Sequence, residues 1–244
     1  MKKIMKIVFF ISCMILMFAL GYKFEDIKKE FNKEKEVVLT DAIKFKNEYE
    51  SLNGKVAFKS KDAEFKYPEV KISDNNAIKY SNASEVEKVM NEGTGVIYLG
   101  YAKCPWCRSA VPALLQAAED AGIENVYYID MENERDEYVV EDGELVLKDV
   151  GTNDYQKLLK VFDKYLDKYV IEKDGKKYKV GEKRIYVPMT VFVREGEVVG
   201  IHIDTVKSQK NPFKALNEEQ FEELYNIYSG YMHEVLNDIC DERC

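Results

Sequence analysis

Cys104 and Cys107 are the residues whose type and spacing point most directly to chemistry, a C-x-x-C pair with Pro105 and Trp106 between them. A thiolate can attack a disulfide sulfur, form a mixed disulfide, and be released by a second thiol nearby. Two close cysteines therefore suit reversible disulfide exchange. The same spacing also serves a structural disulfide or half of a zinc site. A second pair, Cys240 and Cys244, closes the sequence. Residues four apart on a sustained helix hold their Cβ atoms about 5–6 Å apart, beyond the roughly 3.5–4.5 Å of a relaxed disulfide. A bond there needs the helix end to fray. Three readings stand for this pair: a second redox couple that relays electrons to Cys104–Cys107, a passive terminal disulfide, or four thiolates gathering one soft metal ion. Cys13 lies in an apolar run and reads as inert.

The segments around Cys104 and Cys107 define how they are held. Val96-Ile97-Tyr98-Leu99-Gly100 is a short apolar run bounded by glycines, suited to a buried strand. A helical pattern follows, with Ala110, Val111, Leu114, Leu115 and Ala118 on one face. The cysteines thus sit where a strand feeds the first turn of a helix. Unpaired N–H groups and the positive end of the helix dipole favour a thiolate there. Pro105 suits the first helical position, where no N–H is needed. Cys104 is expected to be the exposed, low-pKa nucleophile and Cys107 the more buried resolving thiol.

With Pro112 eight positions after Cys104, and with the run Val187-Pro188-Met189-Thr190 opening a strand at Val191, the chain resembles the thioredoxin superfamily. More narrowly, it is similar to membrane-attached thioredoxin-like proteins of Gram-positive bacteria, including the bacteriocin-transport accessory group. The resemblance covers roughly residues 81–130 and 186–239. It implies an α/β, thioredoxin-like three-layer fold, a central mixed sheet flanked by helices, with a long insertion before a cis-proline at Pro188. It also implies that the Val187–Pro188 loop packs against the dithiol and offers backbone groups to an extended substrate, with no cofactor beyond the redox-active disulfide. Two positions depart from the pattern. Tyr98 stands where thioredoxins carry a buried acid, and Asp204 where they carry a glycine beside the active site. Asp204 is read as a replacement proton acceptor, as a charge that raises the Cys104 pKa, or as a solvated loop residue. Trp106, the only tryptophan, is either an apolar contact for partners or a core residue.

A net charge of -8 over 244 residues argues against nucleic acid and anionic lipid headgroups as partners. Lys2, Lys3 and Lys6 precede an apolar run from Ile7 to Leu20. That run is nearer a signal-peptide core than a relaxed span of about 20 residues. Residues 1–22 therefore read as a signal peptide or membrane anchor, with the remainder extracytoplasmic. The alternative is a buried helix of a cytosolic protein. Residues 23–80 read as a charged stalk and N-terminal extension, with a short helix near Ile43, Phe45 and Tyr49. The thioredoxin-like domain is set at 81–239, its insertion at about 131–185, and the CxxxC tail at 240–244.

Within the domain, Ser84 is expected to cap a helix that stops at Gly93. In the insertion, Asp142-Gly143 and Asp174-Gly175 signal two hairpins. Between them, Tyr155, Leu158, Leu159, Phe162, Tyr165, Leu166 and Tyr169 predict one helix. Insertions of this size often carry specificity, so this one is expected to shape a partner surface beside Cys104. Asn217 to Ile239 predicts a final amphipathic helix. His202 and His233 read as structural or solvated. The expected function is thiol–disulfide exchange on extracytoplasmic protein thiols and disulfides, with a membrane electron donor or oxidant as a second partner. The rival is a non-enzymatic binding protein, either a soft-metal carrier or an export accessory factor.

Overall fold

The computed structural model describes residues 39–236. The apolar run 7–20, Cys13, Ile239, Cys240 and Cys244 lie outside the described residues. Among the described residues, those from Asp41 onward form one compact unit. It is α/β, built on a five-stranded mixed sheet with five helices among the described residues.

The chain enters through helix α1 (Asp41–Glu50) and a small hairpin, β1 (Val56–Lys59) and β2 (Glu64–Lys66). Strand β3 (Ile78–Tyr80), helix α2 (Ala83–Glu92), strand β4 (Gly95–Gly100), helix α3 (Pro105–Asp120) and strand β5 (Val126–Asp130) follow. The insertion holds β6 (Glu137–Glu141), β7 (Glu144–Asp149), helix α4 (Asn153–Val161), β8 (Lys168–Lys173) and β9 (Lys176–Lys183). Strands β10 (Met189–Arg194) and β11 (Glu197–Ile203) and helix α5 (Glu218–Leu236) complete the unit. The main sheet runs β11-β10-β4-β5-β3, with β3, β5 and β4 parallel and β10 antiparallel to both of its neighbours.

Side-chain alternation along the central strands divides the core in two. Val96 and Tyr98 of β4, with Phe192 of β10, face α1, α3 and α5. Ile97 and Leu99, with Val191 and Val193, face α2 and α4. Both clusters are buried, so β4 is apolar throughout. Fully burying each of these aliphatic side chains contributes roughly 1.5–3 kcal/mol.

Several boundaries differ from the sequence reading. Phe45 and Tyr49 of α1 are fully buried, and β3 is an edge strand of the main sheet. The folded unit therefore begins near 41 rather than 81. A Lys- and Glu-rich segment looks solvated until its few apolar residues find a partner far along the chain. Asn82, not Ser84, caps α2: its Oδ1 accepts from the Ser84 and Glu85 N–H groups, and Glu85 answers to the Asn82 N–H. The helix does end at Gly93.

Both Asp-Gly hairpins form, with Asp142, Gly143, Asp174 and Gly175 all at positive φ. The helix between them stops at Val161, gives way to a short 3-10 turn, and leaves Tyr169 in β8. Val170 and Ile171 pair across to Lys179 and Tyr178, a ladder that suits β-branched residues better than another helical turn. In the turn between β10 and β11, Gly196 (φ +78°) lies against the end of α2, where a Cβ would stand 2.4 Å from Asn91 O.

Candidate functional site

Cys104 and Cys107 stand at the carboxyl end of β4, as their spacing predicts, and both are free thiols. Cys104 is the N-cap of α3, its Sγ accepting the Cys107 N–H at 3.3 Å, and Pro105 opens the helix. The Cys104 thiol is lowered from its ordinary value. The Cys107 S–H beside it favours its thiolate most, and backbone N–H groups of Cys107 and Trp106 and the charge of Arg135 add to this. Burial works in the opposite direction. Cys107 is pushed well above an ordinary thiol, first by burial and then by the Cys104 sulfur. The pair is thus split into one thiol that ionises more readily and one that stays protonated.

One expectation is corrected. Cys104 is only 4% exposed, against 0% for Cys107. Its sulfur is turned back onto the helix N-terminus, and the contact that stabilises the thiolate also withdraws it from solvent. Trp106 is half-buried, as is Pro112 inside α3.

The Val187–Pro188 bond is cis and Pro188 is buried. Met189 pairs with Leu99, so antiparallel register carries Pro188 to the level of Gly100, just before the cysteine loop. The Asp204 N–H donates to Pro188 O at 2.8 Å. Asp204 sits at φ +74°, which explains why a glycine would fit there. Its carboxylate is exposed and accepts the Thr205 N–H at 2.8 Å. The residue therefore touches the proline loop through its backbone. His202 lends Nε2 to Thr205 O at 2.9 Å, and burial lowers its pKa.

Three residues that the sequence did not single out surround the dithiol. Arg108 is 1% exposed and donates to Pro68 O (2.9 Å), Tyr49 O (2.7 Å) and Asn53 Oδ1 (2.6 Å). A longer contact reaches Ala102 O at 3.4 Å. It ties the N-terminal arm to the helix that carries the cysteines. Arg135, from the insertion, donates to Tyr101 Oη (3.3 Å), with its guanidinium 5.5 Å from the Tyr101 ring centre. Tyr49 of α1 reaches beneath the site, its hydroxyl 3.4 Å from that of Tyr98. In the sequence Arg108 stands out only as a charge at the helix position following Cys107, and Tyr49 only as an apolar position of a short helix.

Among the described residues no cluster of three or more His, Cys, Asp or Glu side chains could hold a metal ion, and no helix is long and apolar enough to cross a membrane. Comparison with protein-family models finds no match, and comparison with curated proteins finds none either.

Proposed function

We propose that this protein is a thioredoxin-like thiol–disulfide oxidoreductase acting on extracytoplasmic proteins. The observation that carries the reading is the Cys104 sulfur capping α3, its pKa lowered, with the protonated Cys107 thiol one turn behind it. The strand order, the helices on both faces and the proline loop level with Gly100 support a thioredoxin-like core with residues 131–185 inserted before Pro188. Arg135 brings that insertion to the dithiol, which supports a role for it in partner choice. The basic-then-apolar N-terminus supports an extracytoplasmic site, anchored or secreted.

The Cys104 thiolate attacks a partner disulfide, forming Cys104–S–S–partner and releasing the other partner sulfur as a thiolate. Cys107 then attacks the Cys104 sulfur and the second partner sulfur leaves. The partner is reduced by two electrons and the dithiol oxidised by two. Run backwards, the same steps install a disulfide. A redox titration of the full chain, read through Trp106 fluorescence, tests the proposal. A potential of roughly -120 to -180 mV assigns an oxidising or shuffling role, and one near -270 mV or below a reducing role. No reversible transition would overturn the enzyme reading in favour of a binding protein.

A further inference from the structure

Resolution requires Cys107 to become an anion inside the protein, where it is fully buried. Opposite it stands Tyr98, also fully buried, at the position where the resemblance implies an acid. Gly100 opens the space they share: a Cβ there would lie 2.5 Å from Tyr98 Oη and 3.1 Å from Cys107 Sγ. Tyr98 Oη in turn lies 3.4 Å from the hydroxyl of Tyr49, which helix α1 delivers to the same pocket.

We propose that Tyr98, backed by Tyr49, donates a hydrogen bond to the Cys107 sulfur while that sulfur resolves the mixed disulfide. The inference rests on the exchange reaction proposed above and names what serves its second step. Either hydroxyl can donate in the Tyr49–Tyr98 bond; once the Tyr98 hydroxyl turns to the Cys107 sulfur, the Tyr49 hydroxyl is the one left to donate to Tyr98. The Tyr49 hydroxyl favours the ionised oxygen of Tyr98, and the Tyr98 hydroxyl favours the ionised sulfur of Cys107. Burial pushes both phenols well above the ordinary tyrosine value, so neither is an acid or a base at neutral pH. The step balances without them as proton carriers. Cys107–SH and Cys104–S–S–partner give the Cys104–Cys107 disulfide and partner–SH, the proton ending on the departing sulfur. The phenols stabilise the anion in transit.

The other titratable groups around the pair include Tyr101, Tyr128 and Tyr228, each raised by burial, the Arg135 cation, and Arg108, whose guanidinium lies 5.9 Å from the Tyr49 ring centre. Asp130, at the end of β5 beside Gly100, has Oδ1 engaged by the Glu132 N–H.

The test is two-phase release of thionitrobenzoate from Ellman's reagent, using the full chain with Cys13, Cys240 and Cys244 changed to serine. Attack by Cys104 releases the first thionitrobenzoate, and resolution by Cys107 releases the second. A hydrogen bond to an ionised group corresponds to about 10- to 100-fold in rate. Tyr98→Phe should slow the second phase by that factor with the first phase retained, and Tyr49→Phe should slow it several-fold. In a Cys104→Ser background, thiolate absorbance should place the Cys107 titration higher in Tyr98→Phe than in its parent. An unchanged second phase would overturn the assignment. Equal slowing of both phases would overturn it too, as general structural damage. A parent with no first phase removes the proposed reaction itself, and this step with it.

Discussion

Arg108→Met offers a stringent test of how the N-terminal arm is held. Arg108 is 1% exposed, and the four acceptors of its guanidinium are all neutral oxygens. Hydrogen bonds from a charged donor are worth roughly 1.5–3 kcal/mol each. Losing the three short ones therefore removes about 5–9 kcal/mol gross. Against this, the variant no longer buries a cation, an effective penalty of several kcal/mol. The acceptors do not suffer equally. Tyr49 O keeps the Leu52 N–H at 3.2 Å, and Asn53 Oδ1 keeps the Val70 N–H at 3.0 Å. Pro68 O loses the partner it has in Arg108. The expected net loss is about 2–4 kcal/mol, or roughly 4–16 °C in Tm for a unit of this size.

Urea unfolding of the full chain measures the loss, and hydrogen exchange locates it. The amides of Val70 and Ile72, bonded to Asn53 and Glu50, should lose protection before those of β4. Arg108→Lys should recover less than half, because an ammonium cannot reach three divergent acceptors with a planar fork. A stability within about 0.5 kcal/mol of the parent, the range of ordinary surface changes, with the arm still protected, would refute this account.

Other perturbations probe the dithiol and its loop. Gly100→Ala drives a methyl into Tyr98 and Cys107, both fully buried, and should cost about 1–3 kcal/mol in urea unfolding. The lowered Cys104 thiol predicts that iodoacetamide alkylation titrates below the pH of a free cysteine. Removing the Arg135 cation takes away a group that favours the thiolate, so Arg135→Ala should move the profile upward and slow alkylation at neutral pH. A wild-type profile matching a free cysteine would contradict the helix-cap geometry. Asp204→Ala and Asp204→Gly both lose the bond to Thr205, so their difference isolates the backbone. At φ +74° the glycine variant should be the more stable by about 1 kcal/mol, with the Cys104 titration the same in both.

The features that can be read from the residues alone are local. The C-x-x-C, the strand before it and the helix after it lie within one short stretch, where 2.0- and 3.6-residue periods and a proline at the first helical position are legible. Both Asp-Gly hairpins are legible for the same reason, since positive φ at two consecutive residues is a local demand. The alternation along β4 is equally clear, although which helix would cover each face is not.

The contacts that appear only in the folded chain are long-range. Arg108 finds its three short-range acceptors 40, 55 and 59 positions earlier in the chain. Tyr49 meets Tyr98 across 49 positions, and Arg135 meets Tyr101 across 34. No period or motif encodes such meetings, because they follow from how helices and loops settle on the sheet. The same holds for the start of the unit. Phe45 and Tyr49 repeat at helical spacing in a charged segment, and only the packing of α1 against α3 and the sheet turns them into core. The dithiol is legible because its two cysteines sit in one helical turn. The groups that tune it are not, because a buried charge or phenol is defined by distant atoms that replace its water.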